Sequence, residues 1–160
     1  MVKKIKGYSG PVKITIDPGA TGSGWAVWDK NWKLINNGVI NPDSKLEWEA
    51  KAYQVVARLS EVCVLFDCAE GYIEYPAFFM AHGACGVANS GALVKLAWFV
   101  GLVCGALPFP PKLVTVGSWK GQLPKKVVIS RIKRILSDVK ATSHDWDAIG
   151  IGLYIRGDLK

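Results

Sequence analysis

Asp17, Glu74 and the pair His144/Asp147 are the residues of this chain whose types and settings could do chemistry. Asp17 closes the mainly β-branched run Val12–Ile16 and is followed by Pro18, Gly19, Gly22 and Gly24. A strand holds such a carboxylate still, and the glycines leave room for a phosphate to approach. The same Asp-Pro-Gly is equally the form of an aspartate that merely starts a turn. Glu74 ends the apolar stretch Tyr72-Ile73 just before Pro76, a second acid at a strand end. Taken alone it reads equally as a surface glutamate. His144 and Asp147 are spaced i, i+3 and share one face at the start of a helix. Asp145 points elsewhere and serves the helix N-terminus electrostatically. Ala148, Gly150 and Gly152 let that helix lie close to a sheet or another helix, which would bring His144 and Asp147 down to the strand ends.

Together these residues offer three carboxylates and one imidazole. Crowded carboxylates repel and their pKa values rise. A divalent cation relieves the repulsion. Hard oxygen ligands suit Mg²⁺ or Mn²⁺, and an added imidazole tolerates Mn²⁺ well.

The charge is divided in a way that fits such a site. The formal net charge is +7. From Lys112 to Lys140 there are eight Lys or Arg and one acid, Asp138. This stretch holds Lys112, Lys120, Lys125, Lys126, Arg131, Lys133 and Arg134, candidate contacts for a polyanion such as DNA. A plain solvated basic face looks the same. From Val62 to Pro111, Lys95 stands against Asp67, Glu70 and Glu74.

The elements that must position these groups follow from periodicity. Residues 12–17, 24–29 and 33–40 read as a β-meander with a turn at Lys30-Asn31. A helix starts after Pro42, with Ser44 and Glu47 in the form of a capping box. Ala52, Tyr53, Val56, Leu59 and Cys63 make its apolar face. A strand ends at Ile73-Glu74, and residues 76–89 form a loop or flap. Residues 90–105, capped by Ser90, read as a buried core helix. After Lys95 they are too short to span a bilayer, which needs about 20 residues. Residues 113–116 form a short strand, 124–138 a helix with Pro in its first turn, and 143–155 the last helix. Strands first, then alternating helices and strands, indicate an α/β mixed sheet with helices packed on it.

At 160 residues and 50% hydrophobic content the chain reads as one domain, with residues 1–11 as a basic N-terminal extension. Cys63, Cys68, Cys85 and Cys104 form no Cys-x-x-Cys pair, which argues for reduced thiols rather than zinc ligands or disulfides. Lys3, Lys4 and Lys6 lack an apolar signal core, so no secretory peptide is expected.

In four ordered blocks the chain resembles the RuvC-type Holliday-junction resolvases of the ribonuclease H-like nuclease superfamily. Ile16-Asp17-Pro18-Gly19, with Thr21-Gly22 and Trp25-Ala26, is similar to the family's first acidic strand. Ile73-Glu74, with Phe78-Phe79-Met80-Ala81, is similar to its second acid and aromatic segment. Lys120-Gly121-Gln122-Leu123-Pro124-Lys125 is similar to its glycine–lysine block, and His144 with Asp147-Ala148-Ile149-Gly150-Ile151 to its last acidic helix. The blocks span residues 14–154.

The resemblance implies a ribonuclease H-like fold, with a mixed five-stranded sheet flanked by helices, and a homodimer. It implies a crossover junction endodeoxyribonuclease that hydrolyses phosphodiesters at four-way or branched DNA with two Mg²⁺ or Mn²⁺ ions per active site. Asp17, Glu74 and Asp147 would hold the metals, with His144 completing the set. Lys125 would steady the scissile phosphate, a role that its neighbours Lys120 and Lys126 could also fill. Phe78 or Phe79 would stack on an unpaired base, if they do not instead pack in the core. The implied setting is the cytoplasm of a bacterial or phage-infected cell, in recombination and repair, with no membrane contact. Many family members carry an acid where His144 stands, and the segment between Glu74 and Ser90 is longer than in typical bacterial members. Two rivals keep the acids or the fold: a nuclease for RNA–DNA hybrids or general branched DNA, and a junction-binding protein without catalysis. A sugar-kinase-like phosphate loop would need a second domain, for which this length leaves no room.

Overall fold

The period-two alternation of residues 12–17 sets the layout of the computed structural model, which describes residues 10–75 and 87–159. In β1 (Val12–Asp17), Val12, Ile14 and Ile16 face one side, and Lys13, Thr15 and Asp17 the other. Both sides are covered, so all six residues are buried. β2 (Ser23–Trp28) and β3 (Leu34–Ile40) complete the expected meander by antiparallel pairing. The chain then crosses through α1 (Trp48–Phe66) to β4 (Cys68–Tyr75), which lies parallel to β1. α2 (Val87–Ala106) leads to β5 (Lys112–Thr115), parallel to β4. The sheet order is β3-β2-β1-β4-β5, a mixed five-stranded sheet. α3 (Val116–Trp119), α4 (Lys125–Ile135) and α5 (Ser143–Arg156) follow.

Each face of the sheet carries its own core. Ile14, Ile16, Val27 and Ile73 pack with Ala52, Val55, Leu59 and Cys63 of α1 and with Phe99 and Val103 of α2. Ala26, Trp28, Tyr72 and Val114 pack with Trp119, Val128, Ile132, Trp146, Ile149 and Leu153. On this second face Thr15 ties strand to helix: its hydroxyl donates to the Ala148 carbonyl at 2.7 Å and accepts from the Trp28 indole at 2.9 Å.

Several local expectations need correction. The Ser44/Glu47 capping box does not form; α1 starts at Trp48, and Glu47 at its N-cap makes no side-chain cap. The helix start puts Glu47 rather than Ser44 at the N-cap, and Asp43 accepts from Lys45 N–H at 3.0 Å in the turn before it. Tyr53, placed on the apolar face, is 58% exposed, since the packed stripe runs through Ala52, Val56, Leu59 and Cys63. α2 begins three residues before Ser90, which is therefore no cap. Nor is α2 a buried core helix. It packs through Phe99, Val100 and Val103, while Val94 is 62% and Trp98 42% exposed. Added Cβ atoms at Gly91, Gly101 and Gly105 would meet nothing within 4 Å. α4 ends at Ile135 rather than 138, and the one-turn α3 stands between β5 and α4 where the pattern indicates no helix. No helix among the described residues is long and apolar enough to cross a membrane. Among the described residues Cys63 and Cys68 are buried free thiols and Cys104 a partly buried one; Cys85 and most of the basic extension lie outside the described residues.

Candidate active site

Sheet register brings two of the acids together. β1 and β4 run parallel with Ile16 opposite Ile73. One step further along each strand stand Asp17 and Glu74. Neighbouring strands are roughly 4.8 Å apart, so these residues lie side by side at the strand ends. Both follow inward-facing isoleucines, so alternation turns both toward the face covered by α5.

The third acid arrives with α5, and glycines set how close it comes. Gly24, opposite Asp17 in the β1–β2 ladder, has no side chain where a Cβ would stand 2.0 Å from the His144 carbonyl oxygen. Further along, Gly152 lies against Trp28, where a Cβ would come within 2.2 Å of the ring. Gly150 makes the same room for Trp119, at 2.5 Å. The close packing expected of Gly150 and Gly152 is found. Asp145 fixes the helix start, as its expected role at the N-terminus requires. It is 4% exposed; its Oδ1 accepts from both the backbone N–H and the hydroxyl of Thr142, and its Oδ2 from Asn37 Nδ2 at 2.8 Å.

His144 Nδ1 lies 3.0 Å from Asp17 Oδ2, and Asp147, 7% exposed, faces the same end of the sheet. Lys125 Nζ donates to Asp147 Oδ2, and Lys120 Nζ stands 3.6 Å from Asp147 Oδ1. The Trp119 indole N–H donates to Glu74 Oε2 at 2.9 Å. Thus Asp17, Glu74, His144, Asp147, Lys120 and Lys125 form one cluster.

The other residues singled out in the sequence lie elsewhere. Lys126, Lys133 and Arg134, with Ile129 and Ser130, line a shallow cavity of about 440 Å³ on α4. Arg131 is partly buried on the same helix. Lys112 pairs with Glu70 Oε1 at 2.8 Å, toward the opening end of β4 and away from the acids. Phe78 and Phe79 lie outside the described residues.

The electrostatics are those of acids buried together. Burial raises the Asp17 pKa; the His144 hydrogen bond opposes that rise and the Asp147 charge adds to it. Burial, then the Asp17 charge, pushes Glu74 up to about 7, against the Trp119 hydrogen bond. His144 is raised, chiefly by its hydrogen bond to Asp17.

These shifts predict how the metal-free protein responds to pH. The unfolded chain releases the Glu74 proton near 4.5, whereas the folded chain keeps it until about 7. Between those values the folded state binds more protons, so stability falls as pH rises. His144 acts in the same direction: its contribution is complete below 6.5 and is lost as pH rises through its higher folded value. Thermal melts without metal should therefore show a lower midpoint at pH 8 than at pH 5.5. Adding Mn²⁺ at pH 8 should recover stability. A midpoint that climbs with pH would contradict the assigned burial.

The donor set fits a hard divalent cation. Asp147 Oδ1 is buried and makes no hydrogen bond, and Asp17 and Glu74 are each raised first by burial and further by a neighbouring carboxylate. A cation relieves both conditions. As the side chains lie, no three His, Cys, Asp or Glu among the described residues form a metal cage. Instead Lys125 and Lys120 pair with Asp147, and His144 pairs with Asp17.

Gly24, read from the sequence as leaving room for a phosphate, instead makes room for the first turn of α5. It carried a usable signal, since a glycine inside a strand marks close approach of another backbone. Trp119 carried none, because its partner lies 45 residues away.

No family model and no curated protein matches the chain. Among solved structures it is similar to Thermus thermophilus RuvC, with 22% identity and a TM-score of 0.64 over 92% of this chain and 97% of that one. It is equally similar to T. thermophilus RuvC in complex with Holliday junction substrate, with 23% identity and a TM-score of 0.66 over 92% and 96% of the two chains. The likeness establishes a RuvC-like fold, the ribonuclease H-like architecture that the four sequence blocks imply.

Proposed function

We propose that this chain is a metal-dependent endodeoxyribonuclease that cuts four-way or branched DNA. The observation that carries the reading is the convergence of Asp17, Glu74 and Asp147 from two strands and a helix at one end of a RuvC-like sheet. Asp17, Glu74 and Asp147 would hold Mg²⁺ or Mn²⁺, two ions per site, with His144 as the nitrogen donor. Bound divalent ions supply an activated water and charge stabilisation at a phosphodiester. The remaining work belongs to the chain. Lys125, once released from Asp147, would balance the charge of the scissile phosphate, and Lys120 would replace it if it cannot reach. His144 must be neutral to ligate, so mild acid would weaken the site.

Lys126, Lys133 and Arg134 would grip the DNA backbone along α4. Junction binding should then weaken steeply with salt. Replacing all three by Ala should flatten the slope of log affinity against log salt by about 3, one phosphate contact per residue. Fluorescence anisotropy over a salt series in Ca²⁺ measures this, and an unchanged slope would move the DNA elsewhere. The exposed apolar face of α2, with Val94 and Trp98, is the surface a homodimer would bury.

The deciding assay offers a synthetic four-way junction and an RNA–DNA hybrid in Mg²⁺ and in Mn²⁺. Symmetric nicked duplexes from the junction support this reading. Preferential cutting of the hybrid supports the ribonuclease H-like alternative. Tight junction binding with no cleavage in either metal supports a non-catalytic binder.

A further inference from the structure

Glu74 has one hydrogen-bond partner among the described residues, and that partner is built into the core. Trp119 is 5% exposed and belongs to the cluster formed by Tyr72, Val114, Ile132 and Ile149. Its indole N–H donates to Glu74 Oε2 at 2.9 Å. Its ring sits where α5 offers no side chain, since a Cβ at Gly150 would lie 2.5 Å from Cζ3. Its place in the chain follows from β5. Val114 is opposite Glu74, and Thr115 then caps α3 through its hydroxyl, delivering Trp119 over the carboxylate. The next residue, Lys120, reaches Asp147 and lies 5.5 Å from the Trp119 ring. One turn of helix therefore contacts two acids that come from different elements.

A buried tryptophan is usually no more than volume. This one aims its only polar atom at a carboxylate at a strand end. A donor held by core packing selects one oxygen and one orientation of the acid, leaving Oε1 for another partner.

We propose that Trp119 is the positioning residue for Glu74, with Gly150 as the glycine that makes room for it. The inference rests on the metal-ligand role proposed for Glu74. Partners that orient a ligand commonly govern metal affinity by about 10–100-fold. Trp119 would thus set how tightly the metal is held without touching metal or DNA.

The test is calorimetric titration of Mn²⁺ into the DNA-free protein, together with thermal melts. Trp119→Phe keeps most of the ring volume and removes the N–H. Mn²⁺ affinity should fall about 10–100-fold, and the metal-free melting midpoint should fall by no more than the cavity left by the smaller ring accounts for. In a Glu74→Gln background the same change should have little further effect, because the two residues act as one unit. Should Trp119→Phe fold poorly, the benzothiophene analogue of tryptophan at position 119 keeps the ring shape without a donor and should give the same loss. Affinity unchanged in the donor-free protein, when Glu74→Gln itself weakens binding, overturns the inference alone. A wild type that takes up no Mn²⁺, or a Glu74→Gln protein that binds as tightly as wild type, removes the metal reading and the inference together. Mn²⁺ binding that depends on Trp119, with no junction cleavage, retains the inference and removes only the proposed substrate.

Discussion

Asp17→Asn should stop junction cleavage while leaving junction binding and folding intact. Asparagine preserves the size of the side chain and an oxygen for the His144 ring nitrogen, 3.0 Å away in the native site. It removes the negative charge that a divalent ion needs. A loss of about 10³-fold or more in the single-turnover rate is expected, equivalent to about 4 kcal/mol of transition-state stabilisation. In the proposed reading DNA affinity would rest on Lys126, Lys133 and Arg134, which this change does not touch. The folding consequence is equally specific. Burial and the Asp147 charge already make an ionised Asp17 unfavourable without metal. The neutral residue should therefore melt at the same temperature or higher at neutral pH. Cleavage at the normal rate by the Asp17→Asn protein would remove Asp17 from the site.

The second large effect comes from a residue with no side chain. Gly24→Ala would place a methyl group 2.0 Å from the His144 carbonyl oxygen and 2.8 Å from the Asp145 amide nitrogen. These are backbone atoms in the first turn of α5, so no side-chain rotation relieves the clash. The helix start must move away from β2. Overpacking of this kind costs about 1–3 kcal/mol, occasionally more. Displacing His144 and Asp147 by even about 1 Å should also lower cleavage by about 10²-fold. A urea denaturation series and a cleavage rate at saturating Mn²⁺ measure the two effects separately. Native stability with native activity would mean that the contact between β2 and α5 is not tight.

The strand-borne half of the cluster was legible because it depends on local rules. Alternation in residues 12–17 places Asp17 on the face opposite Ile14 and Ile16, and Ile73 places Glu74 likewise. The i, i+3 spacing of His144 and Asp147, and the small residues behind them, announced a helix made to lie close. Other features depend on contacts that spacing does not encode. Ser44 and Asp43 both can accept from the amides that follow, and only geometry decides that Asp43 does. The apolar composition of α2 implied burial on all sides, yet the sheet and α1 cover only one of its faces. The position of Lys125 in its block implies a contact with the phosphate, whereas in the folded chain it is bound to Asp147. The two roles are compatible if metal displaces it, because an ammonium and a divalent ion compete for the same carboxylate.

Anomalous diffraction from crystals grown with Mn²⁺ tests the account at its centre. Peaks within coordination distance of carboxylate oxygens of Asp17, Glu74 and Asp147, with Lys125 moved off Asp147, are the predicted result. Manganese absent from this cluster at saturating concentration, with Lys125 still bound to Asp147, would contradict it.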